Sequence, residues 1–157
     1  MSKIANRILV PGPELLDHIV ALLPRLASFE LPPRRHPPDL WQGDEKMLRS
    51  WFAGHEPTVH VYCTQDAHDV LSGVAMFSLR DELLSGEPSA HLEALAVADG
   101  HEGQGIGTLL LDACHRRARE LGARSMTLHV FDTNRKALGL YAKHGYDPEL
   151  RRCIKWL

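Results

Sequence analysis

His91-Leu92-Glu93-Ala94-Leu95-Ala96-Val97-Ala98-Asp99-Gly100-His101-Glu102-Gly103-Gln104-Gly105-Ile106-Gly107-Thr108 is the stretch that decides the fold. Residues 91–97 alternate as a strand, which places His91, Glu93, Leu95 and Val97 on one face. A glycine cluster follows, and Ile106 opens an amphipathic helix carrying Leu109, Leu110, Ala113, Cys114, Ala118 and Leu121, with Gly122 suited to its end. The first turn of a helix leaves backbone N–H groups without intrahelical partners, and its dipole adds partial positive charge there. Gly103, Gly105 and Gly107 remove side chains that would hold a ligand away. The pattern therefore predicts a socket for a phosphate or diphosphate; the plainer alternative is a turn that only packs tightly on the sheet.

Two common nucleotide motifs do not fit. The chain has no Gly-Lys-Ser/Thr of a P-loop. Its glycine spacing is GxGxG rather than GxGxxG. The dinucleotide fold also requires a parallel sheet, whereas the strands upstream read as hairpins.

Working outward, residues 7–10 read as a first strand and residues 13–29 as a helix that Pro24 kinks or ends. Residues 30–43 are irregular because of Pro32, Pro33, Pro37 and Pro38. Asp44 could cap a second helix carrying Met47, Leu48, Trp51 and Phe52. Residues 58–63 and 70–79 read as strands joined by a turn at Ala67-His68-Asp69, and residues 80–89 as a loop. Downstream, residues 125–131 form a strand, residues 134–143 a helix closed by Gly145, and residues 146–157 a short strand or tight hairpin. The fold class is α/β in the α+β sense, with a mostly antiparallel sheet flanked by helices.

The chain has 157 residues, 44% of them hydrophobic and 24% charged, which suits one soluble domain over residues 1–157. No apolar run is long enough to span a bilayer or serve as a secretion signal, so the expected location is the cytoplasm, with no membrane partner. Cys63, Cys114 and Cys153 form no CxxC pair, so no disulfide framework or zinc ribbon is indicated. The ten histidines are scattered and no HExxH occurs, so no metal is expected. Net charge is −2, which argues against general nucleic-acid binding. Residues 1–90 carry −4 and residues 91–157 carry +2, making the second part the better host for an anion.

The glycine stretch resembles the GNAT superfamily of acyl-CoA-dependent N-acetyltransferases. Its members carry R/Q-x-x-G-x-G/A after a strand ending in an apolar-x-Val pattern. Here the loop is Glu102-Gly103-Gln104-Gly105-Ile106-Gly107 and the strand end is Leu95-Ala96-Val97. Glu102 departs from the pattern, and a carboxylate beside a diphosphate costs affinity. A second block, Thr133-Asn134-Arg135-Lys136-Ala137-Leu138-Gly139-Leu140-Tyr141-Ala142-Lys143-His144-Gly145-Tyr146, is similar to the family's N-x-x-A-x-x-x-Y-x-x-x-G-F/Y segment. The resemblance covers roughly residues 58–157 and leaves residues 1–57 as variable opening helices and a substrate lid.

What the resemblance implies is a sheet whose strands splay at an acetyl-CoA site. Leu95, Ala96 and Val97 would pair with the pantetheine arm. Backbone amides of Gly103, Gln104, Gly105, Ile106, Gly107 and Thr108 would hold the diphosphate, and Asn134 would contact pantetheine. Arg135 or Lys136 could lie near the nucleotide phosphate. Acetyl-CoA is then a co-substrate, no metal takes part, and a homodimer is compatible with the family.

Transfer to an amine requires removal of a proton from the amine, stabilisation of the carbonyl oxygen and protonation of the leaving thiolate. Tyr141 matches the family's general-acid tyrosine. Glu93 is the first choice of base and His129 the second, standing where amino-terminal-acetylating relatives carry Glu; His91 is third. Cys114 lies on the apolar helix face and is expected to be inert. The expected function is acetyl transfer to a primary amine of a small molecule, with protein amino-terminal or lysine acetylation and a non-catalytic acyl-CoA sensor as alternatives. Asp81, Glu82 and Glu87 could draw a cationic amine, and residues 30–43 with Trp41 form the expected lid.

Overall fold

The computed structural model describes residues 5–157. The elements run β1 (Arg7–Leu9), α1 (Leu16–Leu22), α2 (Gln42–Phe52), β2 (Val59–Gln65), β3 (Leu71–Asp81), β4 (Pro88–Val97), α3 (Ile106–Glu120), β5 (Met126–Leu128) and α4 (Arg135–Lys143). Short 3-10 turns occupy Pro13–Leu15, Leu23–Ala27 and Pro37–Leu40. As the proline positions predict, α1 gives way to a 3-10 turn at Leu23-Pro24 and the proline-rich segment forms one short turn.

The five strands lie in chain order, β1-β2-β3-β4-β5. Pairing is antiparallel except between β4 and β5, so the mixed, mostly antiparallel sheet is the architecture found. At the β2–β3 turn the Asp66 carboxylate accepts from the amides of His68 (2.8 Å) and Val70 (3.1 Å), and Asp69 takes a left-handed φ of 61°.

Alternation sorts the core onto two sheet faces. Val59, Val61, Cys63, Val74, Met76, Ala94 and Ala96 pack under Ile19, Leu22, Leu23 and Leu48 from the α1–α2 side. Ala75, Phe77, Ala90 and Leu92 pack against Ile106, Leu110, Leu111, Cys114 and Ala118 of α3. This second layer is tight: a Cβ on Gly73 would come within 2.8 Å of Ile106 and 2.9 Å of Leu110.

One irregularity sets up the site. Met76 pairs with Ala94 but Phe77 pairs with Leu92, so Glu93 is an extra residue in β4. A bulge of this kind reverses the alternation beyond it. Leu95 and Val97 accordingly join Ala90 and Leu92 on the α3 face. The sequence expectation that His91, Glu93, Leu95 and Val97 share one face is thus corrected: His91 and Glu93 face the α1–α2 side with Ser78, which pairs with one and hydrogen-bonds the other.

Two further expectations change. Asp44 does not cap α2; the N-cap position is Trp41, and Asp44 lies within the first turn of the helix. Residues 146–157 form no strand. Pro148 withholds a ladder donor; Leu150, Ile154, Trp156 and Leu157 are exposed, and Trp156 lies near the guanidinium groups of Arg34 and Arg35, 5.6 and 5.1 Å from its ring centre. Among the described residues no helix is long and apolar enough to cross a membrane.

Candidate active site

The site begins where the sheet comes apart. β5 pairs with β4 only at Ala90–Leu92, opposite Met126–Leu128. From Glu93 to Val97, β4 keeps β3 on one side and, among the described residues, has no strand on the other. Hydrogen-bonding groups on an unpaired strand edge are a template for an extended ligand. Leu95, Ala96 and Val97 occupy this edge, the stretch that the family resemblance would pair with a pantetheine arm.

The glycine turn stands at the end of that edge. Gly103 and Gly105 have φ of 75° and 78°, and a Cβ on either would meet nothing within 4 Å, so the glycines serve backbone shape and leave open space. Gly105 is the N-cap of α3 and no side chain caps the helix. The first bond of the turn runs from the Leu109 amide to the Gly105 carbonyl at 3.0 Å. Among the described residues the amides of Glu102, Gly103, Gly105, Ile106, Gly107 and Thr108 donate to none of the backbone carbonyls in the surrounding turns. A run of free amides at the N-terminus of a 15-residue helix fits an anionic diphosphate. Gly107 has a different role, since a Cβ there would sit 3.0 Å from the tip of the Leu140 side chain, which would have to give way.

Glu102, the departure from the motif, is neutralised locally. It pairs with Arg25 and with Lys136, the latter at 2.8 Å. The Lys136 hydrogen bond and charge, with Arg25 beside them, hold its carboxyl below the usual range.

The α3 side of the opening carries the tyrosine. Asn134 is the N-cap of α4, and its side-chain oxygen accepts from the Ala137 amide at 3.3 Å. About two turns on, Tyr141 packs with Leu95, Val97 and Leu140 against the α3 layer. Burial pushes its phenol up to about 12, so it holds its proton at neutral pH and can only donate or accept a hydrogen bond there. Tyr146 lies edge-on to it at 5.6 Å and is itself held by His115 at 2.6 Å.

The other side of the opening carries the acid and the imidazoles. Glu93 Oε1 accepts from Ser78 at 2.6 Å and from Arg80, so one carboxylate oxygen is fixed and the other is left for a ligand. His91 Nδ1 meets Thr127 Oγ1 at 2.7 Å, and the His91 and His129 rings stand 4.8 Å apart. Burial, then the Arg80 charge, lowers the His91 pKa against the opposing pull of Glu93. The three candidate bases thus gather on the α1–α2 side, while Tyr141 lies on the α3 side.

Sequence reading missed Ser78, Arg80, Thr127 and Asp44. No motif marks them; they meet Glu93 and His91 only through strand register and the packing of α2. Asp44 is half-buried near Glu93, and desolvation, then the Glu93 charge, raises its carboxyl to about 7. By contrast, Glu82 is spent on the amides of Leu84 and Ser85, and Glu87 pairs with Arg124 at 2.8 Å. Asp81, Glu82 and Glu87 lie beside the start of β4, the opposite end from the opening, so they do not line it. Burial pushes the Cys114 thiol up to about 12, in keeping with inertness. Among the described residues no group of three or more His, Cys, Asp or Glu could hold a metal.

The site is a sheet split beside a helix N-terminus, with free amides at its mouth. The chain belongs to the Acetyltransferase (GNAT) family, which it matches over residues 23–146. It is similar to mycothiol acetyltransferase of Propionibacterium freudenreichii subsp. shermanii, with 28% identity over 131 residues, 83% of this chain and 39% of that protein. The chain spans 39–58% of the length of the curated relatives it matches. Two solved structures share the fold. The ribosomal-protein-alanine N-acetyltransferase of Brucella melitensis biovar Abortus 2308 has a TM-score of 0.71 at 18% identity, with 98% of this chain and 100% of that one covered. The aminoglycoside antibiotic 6'-N-acetyltransferase AAC(6')-Ih of Acinetobacter baumannii has a TM-score of 0.71 at 17% identity, with 98% and 97% covered.

Proposed function

We propose that the protein transfers an acetyl group from acetyl-CoA to a primary amine of a small molecule by direct attack. The observation that carries this reading is the opening between β4 and β5, with Tyr141 on one side and Glu93 on the other. Acetyl-CoA is the co-substrate: its thioester supplies the acyl group, and its diphosphate and pantetheine are the parts that the free amides and the bare strand edge suit.

The chain's residues then have distinct tasks. Glu93, held by Ser78 and Arg80, accepts the proton of the incoming ammonium directly or through a water. His129 and His91, whose rings stand 4.8 Å apart, are the alternative bases. The amine nitrogen bonds to the thioester carbon, the carbon–sulfur bond breaks, the sulfur takes the Tyr141 phenol proton, and the second proton of the attacking nitrogen passes through water to restore the phenol. A backbone N–H of Leu95, Ala96 or Val97 steadies the carbonyl oxygen.

Free thiol released from acetyl-CoA, measured against polyamines, amino acids, aminoglycosides and peptides, tests the proposal. Turnover of a small amine is the expected result. Turnover of peptides alone would transfer the reading to protein acetylation. Acetyl-CoA binding without thiol release on any amine would make the protein a sensor.

A further inference from the structure

We infer that Glu102 acts as an internal stand-in for the coenzyme's diphosphate, holding Arg25 and Lys136 together at the mouth of the glycine loop, and that these two cations exchange the carboxylate for phosphate when the coenzyme binds. The inference rests on the acetyl-CoA reading and goes beyond it, because it gives Arg25 a binding role and explains the motif's odd residue.

The three side chains come from three separate elements. Arg25 lies in the Leu23–Ala27 turn that follows α1, Glu102 in the glycine loop, and Lys136 in the first turn of α4. Both cations converge on one carboxylate, Arg25 on Oε1 and Lys136 on Oε2 at 2.8 Å. Arg25 also donates through Nε to the Val97 carbonyl at 3.2 Å, which pins its guanidinium at the end of the bare strand edge. The carboxylate is 41% exposed and Lys136 is 73% exposed, so neither is locked in place. Two cations against one acid leave the cluster with one net positive charge beside amides that have no backbone partner.

Physical chemistry ranks the two anions. A diphosphate carries more charge than a carboxylate and offers oxygens to both cations and to the helix amides at once. Glu102 competes for the cations and repels the arriving phosphates across a short distance. It also keeps Arg25 and Lys136 from straying while the site is empty. An Arg or Gln at this position would add to the coenzyme site without competing; the Glu makes binding an exchange.

Calorimetric titration with coenzyme A and with pantetheine, which lacks the diphosphate, separates the contributions. Glu102→Gln is expected to tighten coenzyme A binding about threefold to tenfold at low salt, with the gain fading at high salt as charges are screened. Lys136→Met is expected to weaken coenzyme A about tenfold and to flatten its salt dependence, as loss of a charge-assisted contact should. Pantetheine affinity should change with neither variant. Arg25→Met should behave like Lys136→Met; because Arg25 also braces Val97, its thermal unfolding is measured alongside, and the exposed Lys136 carries the test if Arg25→Met unfolds. Unchanged or weaker coenzyme A binding by Glu102→Gln would overturn the exchange, as would equal losses for coenzyme A and pantetheine with Lys136→Met. Absence of coenzyme A binding by the unmodified protein would instead overturn the acetyl-CoA reading beneath it.

Discussion

The two halves of β4 have much the same composition and opposite tasks. From Ala90 to Leu92 the strand is held by β3 on one side and β5 on the other, and its alanine and leucine are buried under α3. From Glu93 onward it is held by β3 alone, its second edge is bare, and the bulge has exchanged its faces. Backbone groups that the sheet satisfies in the first half lack a strand partner among the described residues in the second, where Arg25 donates to the Val97 carbonyl. The difference between scaffold and site is therefore one of pairing, set by one extra residue and by the shortness of β5.

Substitutions can break that comparison in graded ways. The largest effect is expected at the end of the open half. Gly105→Asp places a carboxylate among the free amides, and coenzyme A affinity should fall by about 100-fold or more, measured by calorimetry on protein shown to be folded by its circular dichroism. Retained affinity would separate the glycine turn from the coenzyme. Tyr141→Phe removes only the phenol oxygen beside the open half. It should lower kcat by about 10- to 10⁴-fold with the KM for acetyl-CoA unchanged; an unaltered kcat would strike Tyr141 from the chemistry.

Smaller effects should appear where the strand is closed. Ala90 is fully buried between β3, β5 and α3. Ala90→Leu overfills that layer and should cost about 1–3 kcal/mol of stability, read from denaturant unfolding, with the KM for acetyl-CoA unaffected. An equal loss of coenzyme affinity would show that the two halves are not separable.

The smallest effect concerns the acid opposite Glu93. Asp44 rises from 3.8 to about 7 on folding, so the native state binds the extra proton between those values. Stability therefore falls as pH rises from about 4 to about 7 and stays reduced above. Asp44→Asn lacks that loss and should be more stable than the parent by about 1–2 kcal/mol at pH 8, after discounting for partial solvent screening. At pH 4 the two should unfold alike. A variant less stable at pH 8 would mean that Asp44 is ionised and paired in the native protein.

The closed half and the glycine turn were legible in the sequence for a physical reason. Helix α3 announces itself by apolar spacing, and Gly103 and Gly105 by the φ they permit. Pro24 marks the end of α1 in the same local way. The bulge at Glu93 was not legible, because one inserted residue leaves the alternating pattern of residues 91–97 intact and shows only in the register with β3. That hidden shift reverses which neighbours Glu93 and His91 have. Ser78, Arg80 and Thr127 were missed for the same cause, since long-range register sets their meeting. Asp44 read as a cap from its position before an apolar run, yet the helix starts earlier, at Gln42, and tertiary packing turns the acid toward β4. Residues 146–157 read as a short strand or tight hairpin, but Pro148 withholds a ladder donor and the segment pairs with none of the described strands.

Titration of the folded, unmodified protein with coenzyme A, followed by the amide signals of a nitrogen-15 spectrum, tests the central claim most directly. The account predicts saturable binding with the largest shifts at the amides of Glu102 to Thr108 and of Leu95 to Val97, while Ala90 and His91 scarcely move. No saturable shift, or shifts confined to residues remote from the open half of β4, would contradict it.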